Sequence, residues 1–264
     1  MNWESDTAEV DGIKLQVRSH GTGSPVVVLH GHELSDAISP FEVKLAQRFH
    51  VIVPSLPGVN KSELPEWLDT VDDLVYLVDD FTNQLGLGPV DLVGHGFGGW
   101  VAVETAVRSM AAMRRLVLID AFGIKVSGPT VRDIQDTYVL TATEVAELAW
   151  HDPARATVLK WPGAQGVNEQ ELLVLLRNRQ SVLGFGWSPF MHNPKLLRRL
   201  RRVKVPSQLV WGESDRVVLP DYGRAFQAAI PDACFEVIPD AGHYPHWEQP
   251  EALAGVVTSF LTKG

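Results

Sequence analysis

Residues 91–100 read Asp91-Leu92-Val93-Gly94-His95-Gly96-Phe97-Gly98-Gly99-Trp100. A short apolar run enters a turn of closely spaced glycines. Beyond it, Val101, Ala102, Thr105 and Ala106 fall at helical spacing, so the stretch reads as a buried strand passing straight into a helix. The glycines at 94 and 98 have a steric reason, because side chains in so tight a turn would collide. The residue at its centre, Gly96, is then held in a strained conformation at the end of the strand, facing a helix N-terminus.

Working outward, the same grammar repeats. Pro25 to Gly31, His50 to Pro54, Pro89 to Val93, Arg115 to Asp120, Gln208 to Gly212 and Cys234 to Ile238 are short, β-branched and apolar. That is how strands buried on both faces of a sheet read. Helical spacing is predicted over 71–85, 98–108, 222–229 and 250–261. Ala8 to Val17 reads as a hairpin turning at Asp11-Gly12. Strand-helix alternation predicts an α/β fold with a mostly parallel sheet covered by helices on both faces. Residues 122–204 lack a strand signal and carry helix-like stretches at 143–150, 153–159, 168–183 and 194–203. They are expected to form a helical cap on a core made of 1–121 and 205–264. Aromatic residues of this insertion either fill its own core or reach a ligand beneath it.

Composition narrows the functions open to the chain. Its 264 residues are 45% hydrophobic and 21% charged, with a net charge of −9. That suits a folded domain and argues against nucleic-acid binding. The basic run Lys195 to Lys204 interleaves Leu196, Leu197, Leu200 and Val203, as the solvated face of an amphipathic helix would. Cys234 is the sole cysteine, which excludes an intramolecular disulfide and any multi-cysteine metal site. The acidic start and the absence of a long apolar run lead us to expect no signal peptide, no membrane span and a cytoplasmic location. A small-molecule substrate is the expected partner, with no cofactor and no metal; the sequence leaves the oligomeric state open.

The 94–99 turn resembles the nucleophile elbow of the α/β-hydrolase family. Three further stretches carry the resemblance: His30-Gly31-His32 after the first buried strand, Trp211-Gly212-Glu213-Ser214-Asp215, and Ala241-Gly242-His243-Tyr244-Pro245-His246-Trp247-Glu248. The resemblance implies an oxyanion hole from the backbone amides of His32 and Phe97, an acid at Asp215 and a histidine at His243. Asp120, at another strand end, is the alternative acid. The insertion and Trp247 also look like the carbon–carbon hydrolases that act on meta-cleavage products. That likeness implies ester or carbon–carbon hydrolysis of a small, partly apolar carbonyl substrate. Trp150, Trp161, Phe122, Trp187 and Trp247 are its expected contacts.

The apex departs from the pattern. Where the family carries a nucleophile, this chain has Gly96, which cannot form an acyl-enzyme. Gly96 relieves backbone strain and leaves room beside His243 for a water or a substrate group. An Asp-His base beside two amides can still activate water, or move a proton on a substrate whose oxyanion the amides hold. The alternatives are an ordinary serine hydrolase with its nucleophile removed, a lyase- or oxygenase-type proton-transfer enzyme, and a non-catalytic ligand-binding protein. Ser35, Ser39, Ser55 and Ser62 read as caps or turn residues rather than replacement nucleophiles. His95 reads as packed beside the elbow and bonded to backbone. His32 stands between a pocket and a structural role, and Glu33 beside it between pairing with a cation and opening a helix. A two-histidine metal site at His243 and His246 lacks a third ligand.

Overall fold

A computed structural model of the chain describes residues 3–31, 37–108 and 113–263. Eight strands form one sheet: β1 (Glu4–Val10), β2 (Ile13–His20), β3 (Pro25–Leu29), β4 (His50–Pro54), β5 (Val90–His95), β6 (Met113–Ile119), β7 (Ser207–Gly212) and β8 (Cys234–Ile238). Their order is β1-β2-β4-β3-β5-β6-β7-β8. β1 and β2 are the expected hairpin, turning through Asp11 at φ 48° and Gly12 at φ 77°. β2 runs antiparallel to β4, and every pair from β4 to β8 is parallel.

The alternation of side chains along each strand explains the two cores. Val26 and Val28 point to one face and Val27 and Leu29 to the other, all buried. One face packs against α2 (Val71–Gln84), α3 (Gly96–Arg108) and α7 (Pro220–Ala229). The other packs against α1 (Pro40–Leu45) and α9 (Pro250–Leu261), through Phe41, Leu45, Leu253 and Val257. Removing each such apolar side chain from water is worth about 1.5–3 kcal/mol. The helix starts are fixed locally by reciprocal side-chain caps. Ser39 with Glu42 opens α1, and Thr70 with Asp73 opens α2.

Between β6 and β7 the chain forms α4 (Ala142–Ala149), a 3₁₀ turn at Pro153–Val158, α5 (Glu169–Gly186) and the short α6 (Leu196–Arg199). The single helix expected over 194–203 is instead α6 followed by a 3₁₀ turn at Leu200–Arg202. Leu196, Leu200 and Val203 are buried as their spacing implies. Val203 turns extended, at φ −62° and ψ 120°, because the chain must straighten to enter β7. The inserted segment sits on the loops that leave the strands' carboxyl ends. Asn60 and Asn178 exchange hydrogen bonds, Asn60 N–H to Asn178 Oδ1 at 2.8 Å and Asn178 Nδ2 to Asn60 Oδ1 at 3.0 Å. Ser181 Oγ donates to the Pro57 carbonyl at 2.7 Å, and the His243 amide donates to the Ala149 carbonyl at 2.7 Å.

Candidate active site

β5 ends at His95 and α3 begins at Gly96 with no intervening loop, two residues earlier than helical spacing implied. Gly96 takes φ 50°, the left-handed region that a residue with a Cβ enters at a cost. At Gly98 the helix lies so near β3 that a Cβ would collide with the carbonyl oxygens of Leu29 and His30. Phe97 is fully buried. Its amide belongs to the first helical turn, where N–H groups have no intrahelical acceptor. His32 and Glu33, like Ser35, lie outside the described residues, so the oxyanion contribution expected of His32 is not among the contacts seen.

Two loops bring the acid and the histidine to this edge. Asp215 follows β7 and accepts the amides of Val217 and Val218 on Oδ1, at 2.8 and 3.0 Å. Its Oδ2 meets His243 Nδ1 at 2.8 Å, and both side chains are fully buried. The imidazole therefore donates from Nδ1 to a carboxylate that two amides already hold in place. His95 bonds through Nε2 to the His243 carbonyl at 2.7 Å, which fixes the loop from below. Phe122 ties the imidazole to the turn: its amide donates to the Gly96 carbonyl at 3.0 Å, and its ring stacks on His243 at 5.3 Å. The carboxylate on Nδ1 is thus that of Asp215.

Asp120 lies behind this pair. It is completely buried, at φ 45°, and its Oδ1 accepts the Gly212 amide at 2.9 Å. One ligating atom each from Asp120, Asp215 and His243 falls within 4.8 Å of the others. Burial, and then the charge of Asp215, push the Asp120 carboxyl well above the usual carboxylate range, against the pull of the Gly212 amide. Asp215 Oδ1 accepts two amides and Oδ2 meets the imidazole, so two carboxyl groups and one imidazole share a single buried cluster.

Glu248, which the sequence reading passed over inside the histidine loop, is another organiser. It stands in α8 (Pro245–Glu248), 4% exposed. Its carboxylate accepts the amides of Gly242 at 2.7 Å, His151 at 3.0 Å and Asp152 at 3.1 Å. The only advance signal was an acid five residues after the histidine.

A cavity of about 560 Å³ opens in the inserted segment, walled by α4, the 153–158 turn and residues 159–167. Trp150 and Trp161 line it, and Tyr244, next to His243, closes one end. Phe122 is at the imidazole instead. Trp187 is 62% exposed and Trp247 is partly buried in α8; neither lines the cavity. Arg179, on α5, has its guanidinium over the rings of Trp161 at 4.4 Å and Tyr138 at 4.6 Å. Its Nη1 is buried without an acceptor among the described residues, and burial lowers the affinity of the group for its proton. Ser39 caps α1, and Ser62 Oγ bonds the Ser55 carbonyl at 2.7 Å.

The profile of the alpha/beta hydrolase family matches residues 26–256. The chain is 25% identical to a 2-hydroxy-6-oxo-6-phenylhexa-2,4-dienoate hydrolase of Burkholderia cepacia, over 97% of this chain and 93% of that protein. It is 27% identical to a 2-hydroxy-6-oxononadienedioate/2-hydroxy-6-oxononatrienedioate hydrolase of Burkholderia vietnamiensis, over 96% of this chain and 93% of that one. Among solved structures, a meta-cleavage product hydrolase (CumD) superposes with a TM-score of 0.78 at 18% identity, covering 98% of each chain. The carboxylesterase CesB of Bacillus subtilis does so at 0.74 and 23% identity, covering all of this chain and 93% of that one. Both likenesses are of fold.

Proposed function

The chain belongs to the alpha/beta hydrolase family, and on that premise we propose that it is an enzyme acting on a small, partly apolar carbonyl substrate through Asp215 and His243. The observation that carries this reading is the buried 2.8 Å contact between Asp215 and His243, joined through Phe122 to the turn at Gly96. Residues 122–204 act as a cap over the core made of 1–121 and 205–264. Phe122 and the cap's Trp150 and Trp161 meet the substrate, while Trp187 and Trp247 stand outside the cavity wall. The amides of Phe97 and His32 receive the oxyanion.

The chemistry follows from what the apex lacks. His243 takes a proton from water, and the hydroxide adds to the substrate carbonyl. The oxyanion that forms is held by the amides, and no bond to the protein is made. On collapse, the carbon–carbon or carbon–oxygen bond breaks, and the departing fragment takes the proton from the imidazolium that Asp215 stabilises. One water is consumed, giving a carboxylic acid and a protonated leaving group. The two Burkholderia relatives are named for oxo-dienoate and oxo-dienedioate substrates, which are carboxylates. Arg179, with a buried N–H that has no acceptor among the described residues and a ring partner in the cavity wall, suits a substrate of that charge.

Turnover of a ring-cleavage dienoate and of a simple aryl ester separates the alternatives. His243→Ala is expected to abolish turnover and Gly96→Ser to leave it unimproved. A gain of several orders of magnitude in Gly96→Ser would mean a serine-type site that has lost its nucleophile. No turnover by any of the three proteins would leave a ligand-binding role.

A further inference from the structure

A carboxylate accepts hydrogen bonds and donates none. Asp120 Oδ2 is buried, and among the described residues no N–H or O–H group points at it. The acids Asp215, from the loop after β7, and Glu248, from α8, act on this carboxyl through space, and a carboxylate oxygen of Asp120 lies within 4.8 Å of one of Asp215. His243 completes the group, with His95 and Tyr244 against its ring and His246 beyond them. Two ionised carboxylates side by side without solvent would leave an orphan acceptor facing a like charge.

We propose that the buried pair of Asp120 and Asp215 holds a single proton on Asp120, which donates a hydrogen bond to Asp215 and so steadies the carboxylate that orients His243. The side on which the proton rests follows from the partners. Asp215 receives two amides and the imidazole N–H; among the described residues Asp120 receives the Gly212 amide alone. Asp120 is thereby a positioning residue, acting on the imidazole through Asp215. The inference rests on Asp215 and His243 being the working pair, but its test needs no turnover and so fails or stands independently of the proposed reaction.

The sign of the pH effect is fixed. In the unfolded chain Asp120 ionises near pH 4. In the folded chain it keeps its proton, so unfolding releases one proton at neutral pH. Stability from this group is full below the unfolded value and is lost as pH rises toward the folded value. Asp120→Asn keeps a neutral donor in the same place and removes the ionisation, and Asn tolerates the same positive φ. Urea unfolding of both proteins across pH should show the wild-type unfolding constant growing relative to that of Asp120→Asn by about tenfold per pH unit above pH 4. A ratio independent of pH would overturn the assignment. Should Asp120→Asn not fold, ¹³C-carboxyl-labelled aspartate in the wild-type chain gives the answer. One aspartate must stay protonated at neutral pH, and none doing so would overturn it. The positioning role is read from the His243 Nδ1–H proton resonance. It should persist in Asp120→Asn and shift or vanish in Asp120→Ala; an unmoved resonance in Asp120→Ala would remove that role.

Discussion

Single residues set the tightest tolerances in this protein. Gly96 and Gly98 are favoured for different reasons: one by its φ of 50°, the other because α3 packs against the β3 carbonyls. A side chain at 96 meets a conformational cost of about 1–3 kcal/mol, so the Gly96→Ser protein is expected to be folded but less stable. At 98 the obstacle is backbone, which cannot swing aside as a side chain can. Gly98→Ala is therefore expected to destabilise by about 3 kcal/mol or more, measured as a lower urea midpoint at unchanged slope. The glycine pattern was legible because sterics act locally. The proton on Asp120 was not, since it depends on Asp215, which is 95 positions away in the chain and reaches it only once β6 and β7 pair.

At the scale of elements, the histidine loop and the start of the inserted segment share one support. The Glu248 carboxylate accepts amides from both, at Gly242 and at His151 and Asp152. Glu248→Gln retains one acceptor oxygen and turns an NH₂ toward amides that also donate. Each donor so orphaned costs about 1–3 kcal/mol. The expected outcome is a lower thermal midpoint and faster amide exchange at Gly242, His151 and Asp152. The helices of the core were predictable from apolar spacing and their caps. α1 was not anticipated, because six residues are too few for the spacing to show. The run at 194–203 carried a helical pattern, yet the path into β7 cut it short.

Across the whole molecule, stability is divided unevenly. The central strands β3, β5, β6 and β7 are buried on both faces. α5 instead leaves Leu173, Val174 and Leu176 exposed, and is held to the core loop by Asn60, Asn178 and Ser181. Amide exchange is therefore expected to be faster throughout 142–186 than in the central strands, and Asn178→Ala should quicken it in α5 while β5 and β6 stay unchanged. Equal protection of both regions would argue against this uneven division of stability. No helix among the described residues is long and apolar enough to cross a membrane.

The sequence by itself determined the strand-helix alternation of the core, the strand-to-helix turn at 94–99 and the family likeness, because period, glycine sterics and motif order are written along the chain. It also placed Asp215 and His243 at the ends that meet. Only the tertiary structure decided which carboxylate lies on the imidazole, which tryptophans wall the cavity, and what Glu248 and Arg179 face. Those outcomes depend on burial and on contacts between segments far apart in sequence, where desolvation and neighbouring charge exist only after the sheet and its insertion have closed together.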